Sequence, residues 1–283
     1  MRTNPKRLRL GAVVLAACLF WSPVEVSFAG QDSQSSSEVT RLSGAFLKNL
    51  GSDFAGVVTA PKNWKAGDWL KFGAVAGTGI LIYLFDNDIY KWIQDQRTPS
   101  SIEASKYVSK IGNGAYLAAF MGIIYVSGEI FDSTSLRKTA LLSLESFLTT
   151  AAIVLSIKVL AGRSRPYYPD SFSHDFNPLS FTADHTSFPS GDSATAFAVA
   201  TTIAEQSPNI AVDILAYGLA SLVAVYRVHD QKHWPSDVFV GSALGYFIAK
   251  KICALNKNRE SGRFQASFSL NPKRQAITFS IAF

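Results

Sequence analysis

The sequence predicts an all-α fold, a helical bundle of about six core helices with a short C-terminal β-hairpin. Three observations lead there. Six apolar stretches of helical length, at about 69–85, 115–131, 139–160, 193–203, 210–226 and 238–255, are separated by Gly, Pro, Asp and Asn clusters that break helices. Ahead of them Val39, Leu42, Phe46, Leu50 and Phe54 recur at spacings of three and four, the period of an amphipathic helix. Behind them the period drops to two.

Residues 1–29 read as a signal peptide. Arg2, Lys6, Arg7 and Arg9 precede an apolar run from Leu10 to Phe20, and Ser27-Phe28-Ala29 is a small-x-small cleavage signal, so the mature chain begins near Gly30. Leu15-Ala16-Ala17-Cys18 also fits a lipoprotein signal leaving Cys18 as a lipid-bearing terminus, although apolar Leu19, Phe20 and Trp21 follow where polar residues are usual. Residues 30–60 then comprise a flexible Ser/Gln-rich leader and the amphipathic helix, which either lies on a membrane surface or packs on the bundle.

The helical bundle occupies 61–258. Its entry, from Pro61 to Trp69, carries two tryptophans near lysines and suits a polar–apolar boundary. Most of the apolar segments are near the lower limit of the roughly 20 residues a membrane span requires, and Lys71, Glu145, Lys158 and Asp213 interrupt them. A spanning and a non-spanning bundle both fit. If all six segments crossed after a cleaved signal, the ends that hold Lys158 and Arg227 would face the cytoplasm; without the weak first crossing they face the periplasm. The expectation is an exported protein of the bacterial cell envelope, associated with a membrane surface or bilayer, its active site towards the periplasm.

The stretch 259–283 is the predicted hairpin. Phe264, Ala266, Phe268 and Leu270 alternate with polar residues, Asn271-Pro272-Lys273-Arg274 interrupts, and Ile277, Phe279, Ile281 and Phe283 alternate again. It either packs on the bundle or serves association; two strands cannot close a barrel.

Charge and cysteine content exclude little else. The net charge of +6 includes several positive residues of the leader, so it carries little weight, and nothing resembles a nucleic-acid motif. Beyond the leader only Cys253 remains, which rules out an intramolecular disulfide.

The chemistry gathers late in the chain. Lys158 lies near the end of one apolar helix, Arg165 in the exit Gly162-Arg163-Ser164-Arg165-Pro166, and Arg227 at the corresponding end of another helix. Cations in apolar surroundings need partners, and a tetrahedral oxyanion would satisfy all three, whereas any one alone is as easily read as a side chain snorkelling to solvent. Pro189-Ser190-Gly191 opens a small-residue helix, whose unpaired N-terminal amides favour an anion. Gly191 permits close backbone approach and Ser190 adds a hydroxyl. Finally, in His233-Trp234-Pro235-Ser236-Asp237 the carboxylate can accept the Nδ1 proton of His233, leaving Nε2 as a nucleophile towards phosphorus.

These three segments resemble the signature of the type 2 phosphatidic acid phosphatase superfamily, which also includes bacterial class A acid phosphatases and vanadium haloperoxidases. The resemblance covers roughly 158–237. It implies a phosphohistidine intermediate at His233 oriented by Asp237, phosphate oxygens held by Lys158, Arg165, Arg227, Ser190 and the Gly191 amide, and neither metal nor cofactor for hydrolysis. One position departs: the family has histidine after Pro-Ser-Gly, where it is thought to protonate the leaving oxygen, and this chain has Asp192.

A carboxylate repelled by a phosphate dianion favours its protonated form, in which Asp192 serves as general acid. Alternatively Asp192 caps the helix, and water, His185 or His229 protonates the leaving group; or turnover is weakened. The leading expectation is hydrolysis of a phosphomonoester or pyrophosphate, of a lipid or else a small phosphate ester. A vanadate-dependent haloperoxidase and a catalytically weakened phosphate-binding envelope protein are the alternatives. The loop from Tyr167 to Phe188 would set which ester is taken.

Overall fold

The computed structural model describes residues 41–169, 171–263, 265–271 and 276–282, with side chains described as far as residue 260. The expected signal peptide, Cys18 and the Ser/Gln-rich leader lie outside the described residues. Among these there are nine α-helices: α1 Gly44–Val58, α2 Ala66–Leu84, α3 Asp86–Asp95, α4 Pro99–Ile111, α5 Gly114–Ile130, α6 Thr134–Ala161, α7 Gly191–Gln206, α8 Ile210–His229 and α9 Pro235–Arg263. Two strands, β1 Gln265–Asn271 and β2 Ala276–Ala282, pair antiparallel with Phe268 opposite Phe279.

Local chemistry sets the helix boundaries. At α4, Thr98 accepts the Ser101 amide at 3.1 Å and Ser101 accepts the Thr98 amide at 2.9 Å, a reciprocal cap completed by Pro99 in the first turn. Asn113 and Asn209 each accept the amide two residues on at 2.9 Å, opening α5 and α8. α6 ends on Gly162 at φ +61°, where any Cβ would strike the carbonyl of Asn177; only glycine turns the chain there.

α7 is the central helix. It packs against α6, α8 and α9, and its buried face is built from small residues, among them Ala194, Ala196, Ala198 and Ala200. α9 meets it backbone to backbone: a Cβ at Gly245 would collide with the carbonyl of Ala194, and one at Gly241 with the carbonyl of Ser190. The C-terminal ends of α6 and α8 and the N-terminal ends of α7 and α9 thereby gather at one end of the bundle.

The sequence reading missed α3 and α4. Asp86, Asp88, Lys91 and Asp95 lower the mean hydropathy of α3, so an apolar-run search passes over it, although Tyr90 and Ile93 pack against the cluster of Ala224, Val228 and Val238. α2 and α3 meet at a 64° bend and α4 and α5 at a 55° bend. The choice left open for α1 resolves towards packing. Phe46 and Asp53 are buried, Asp53 pairs with both Nη atoms of Arg259, at 2.8 and 2.5 Å, and Val57 packs with Leu142, Ile248 and Ile252. α9 continues to Arg263, beyond the expected boundary at 258.

Three helices, Thr134–Ala161, Ile210–His229 and Pro235–Glu260, are long and apolar enough to cross a membrane, and up to five crossings result if each bent pair is one. The outer face of α8 fits such surroundings: Ile214 is 68% and Leu215 63% exposed, in an apolar patch with Leu219 and Leu222.

Candidate active site

Gly162 starts the site. Its left-handed turn sends the next side chain, Arg163, into the interior, where Nε and Nη2 donate to the Ser173 carbonyl at 2.9 and 2.7 Å. Nη1 reaches Ser236 Oγ at 2.8 Å and Asp237 Oδ1 at 2.5 Å, and Nη2 also reaches Asp86 Oδ2 at 2.6 Å. Asp86 in turn accepts the amide and hydroxyl of Ser236 at 2.8 and 2.6 Å. All of these side chains are buried. A buried charge is tolerated only when paired and hydrogen-bonded, and this cluster joins the exit of α6 to the starts of α3 and α9.

Asp237 is the hinge of the arrangement. Besides Arg163, its carboxylate accepts Ser187 Oγ at 2.5 Å and the Trp234 amide at 2.9 Å, while its backbone carbonyl accepts the Ser190 amide at 2.9 Å. The expected direct bond to His233 is not made. Nδ1 of His233 lies 2.8 Å from the carbonyl oxygen of Ser187 and 3.9 Å from Asp237 Oδ2. The physical reason is occupancy: the carboxylate is claimed by Arg163, Ser187 and Trp234, so Asp237 fixes the strap that holds the ring. A carbonyl can only accept, so Nδ1 carries the proton and Nε2 keeps its lone pair.

The ring is 3% exposed. Burial pushes it down to about 4, with the charges of Lys158 and Arg165 acting in the same direction and Asp237 opposing. At neutral pH it is therefore an uncharged base among cations.

The cations converge on the same strap. Lys158 Nζ donates to the carbonyls of Thr186 and Ser187 at 2.5 and 3.4 Å, and Arg165 Nη2 donates to Thr186 Oγ1 at 3.1 Å. A Cβ on Gly191 would lie 3.5 Å from Cε of Lys158, which puts the lysine beside the first turn of α7. Ser190 caps that helix; its hydroxyl is 2.9 Å from Ser193 Oγ. Arg227 Nη1 pairs with Asp192 Oδ2 at 2.8 Å. Among the described residues, Arg165 Nε and Arg227 Nε and Nη2 are buried without an acceptor.

Thus Lys158, Arg165, Ser190, Gly191, Asp192, Arg227, His233 and Asp237 are drawn together at one end of the bundle. Donors lacking protein acceptors, a helix N-terminus and a neutral imidazole suit a tetrahedral oxyanion and attack upon it. Sequence reasoning overlooked Arg163, Asp86 and Ser187. Arg163 stands in the same exit motif as Arg165, two residues apart; a one-residue reach each side of a left-handed glycine was the available signal. Asp86 carried none, because its partner lies 77 residues away.

The chain is similar to known proteins. Residues 139–260 match the model of the PAP2 superfamily. A lipid A 1-phosphatase of Rhizobium etli is 27% identical over 199 residues, 65% of this chain and 82% of that protein. A PA-phosphatase related-family protein of Dictyostelium discoideum is 26% identical over 196 residues, 60% of this chain and 71% of the other. In fold, the chain is similar to the crystal structure of a transmembrane PAP2 type phosphatidylglycerolphosphate phosphatase from Bacillus subtilis, at TM-score 0.52 and 21% identity, over 65% of this chain and 95% of that one.

Proposed function

We propose that this chain, whose residues 139–260 match the PAP2 superfamily, is a membrane-associated phosphatase that removes phosphate from a phosphomonoester or pyrophosphate of a lipid. Nε2 of His233 attacks phosphorus, a P–N bond forms and the P–O bond to the leaving group breaks, with a proton passing to the leaving oxygen. Water then attacks the phosphohistidine, giving inorganic phosphate and restoring the ring. Lys158, Arg165, Arg227, Ser190 and the Gly191 amide hold the equatorial oxygens, whose charge their donors stabilise.

The observation that carries the reading is the pose of His233: proton fixed on Nδ1 by the Ser187 carbonyl at 2.8 Å, lone pair on Nε2, and the charges of Lys158 and Arg165 bearing on the ring. Asp237 positions the nucleophile through Ser187 rather than by touching it. Apolar helix surfaces and the relatives' names support a lipid substrate. The leader motif supports export, with the site on the periplasmic side of the membrane.

The test is release of inorganic phosphate, in detergent and without added metal, from phosphatidate, a lipid pyrophosphate and a soluble aryl phosphate. The reading expects turnover of the lipid esters, inhibition by vanadate and none of it in His233→Ala. Equal rates in wild type and His233→Ala would overturn it; halide oxidation on addition of vanadate, without hydrolysis, would establish the haloperoxidase alternative instead.

A further inference from the structure

We propose that His185, held by a Ser164–Asp175 relay, is the proton donor to the leaving group, the role expected of Asp192. The inference rests on the phosphatase reading above. It begins with the position after Pro-Ser-Gly, where Asp192 is engaged with Arg227 at 2.8 Å. A carboxylate that holds a guanidinium in place is an acceptor, and the reaction needs a donor at the departing oxygen.

The chain has four histidines, and three have other occupations. His233 is the nucleophile. His229 is buried with both ring nitrogens engaged, Nε2 2.9 Å from Ser101 Oγ and Nδ1 2.9 Å from Asp230 Oδ1, and so ties α8 to α4. His174 stacks edgewise on Tyr83 of α2, ring centroids 4.9 Å apart.

His185 is arranged differently. Its Nδ1 lies 2.9 Å from Ser164 Oγ, and that hydroxyl donates its proton to Asp175 Oδ2 at 2.5 Å. Ser164 therefore accepts from Nδ1–H, which sets the tautomer and reserves Nε2 for exchange. Asp175 closes the relay, fixing the Ser164 hydroxyl so that its lone pair faces the ring. Among the described residues, Nε2 has no hydrogen-bond partner. Ser164 is buried and stands between Arg163 and Arg165, and its carbonyl accepts Trp234 Nε1 at 2.9 Å, so the anchor belongs to the wall of the site.

Placement on the strap completes the argument. Thr186, the next residue, gives its carbonyl to Lys158 and its hydroxyl to Arg165, and Ser187 gives its carbonyl to His233. One short segment therefore carries the donor, two contacts to the phosphate-holding cations and the clamp on the nucleophile. In the first step His185 passes the Nε2 proton to the oxygen released from phosphorus and becomes neutral. In the second the attacking water leaves its protons on inorganic phosphate and solvent returns a proton to Nε2, so breakdown of the intermediate, common to all esters, does not call on His185.

The experiment uses leaving groups of different basicity. A p-nitrophenolate departs without a proton; the alkoxide of a lipid does not. His185→Gln is expected to lower kcat for phosphatidate about 100-fold or more, in the range typical of general acid catalysis, and to change p-nitrophenyl phosphate turnover less than about threefold. Asp175→Asn, a change at a positioning residue, should give the same selectivity at smaller size. Vanadate inhibition in the same preparations reports an intact cradle. A parallel loss on both esters, no loss on either, or a selective loss in Asp192→Asn instead would overturn the assignment. A wild-type chain hydrolysing neither ester would sink the phosphatase reading itself, and this inference with it.

Discussion

Arg163 reaches Asp237 with Nη1 2.5 Å from Oδ1, and both side chains are sealed from solvent. The same guanidinium holds Asp86 at 2.6 Å. One cation thus serves two carboxylates, and the acid expected to steer the nucleophile directly is instead the fixed point from which the Ser187 strap hangs.

Removing that cation strands two buried anions. Breaking a buried pair from one side costs about 3–5 kcal/mol, so Arg163→Met should lower the thermal unfolding temperature in detergent sharply and reduce phosphate release with it. Asp86→Asn, which keeps one acceptor for the Ser236 amide and leaves Arg163 paired with Asp237, should cost less. Unchanged melting of Arg163→Met would remove the network from the stability argument.

Asp237 acts on the imidazole at one remove. Asp237→Asn should lower kcat about 100-fold through misplacement of the ring, while Ser187→Ala, which keeps the carbonyl that accepts Nδ1–H, should lower it about tenfold or less on the same grounds. The reverse order, measured with one lipid phosphate, would return Asp237 to direct contact with the ring.

On the proposed mechanism His233 sets an acid limit. His233 is pushed down to about 4 from an unfolded value near 6.5, so the reactive neutral form persists as pH falls and is lost only through about 4. The acid limb of kcat/KM should therefore lie well below that of an ordinary histidine. Between those values the unfolded chain binds the additional proton, so stability contributed at this ring falls as pH is lowered through the window. An acid limb centred near 6.5 would contradict the buried, uncharged pose.

Asp192 competes for Arg227. Its side chain is 36% exposed, so the pair is worth at most about 1 kcal/mol; Asp192→Asn should tighten inhibition by inorganic phosphate about threefold to fivefold. Asp192→His should preserve or raise turnover. Weaker phosphate inhibition in Asp192→Asn would show that the carboxylate organises the cradle rather than opposing its ligand.

The sequence made the cradle legible because its pieces are short motifs, each carried at a helix end. Lys158, Arg227 and Ser190-Gly191 could be placed by counting along apolar segments, and those ends do meet. Long-range partnership left no such trace: Asp86 lies 77 residues before Arg163 and 150 before Ser236, and no local pattern announces a carboxylate that answers an arginine across the bundle. α3 escaped for a related reason, since four charged residues hide an apolar stripe from any average over the segment. The ring of His233 was assigned to the nearest acid by sequence spacing, whereas the Ser187 carbonyl, 46 residues upstream, comes nearer in space.

Gly241 and Gly245 bring α9 against the main chain of α7, so the His233 ring and the N-terminus of α7 are gauged against one another by peptide groups, which have no rotamers to change. The spacing between ring and helix N-terminus is thus fixed by the fold itself, and a side chain added at either glycine would pry the two apart before anything else in the bundle changed.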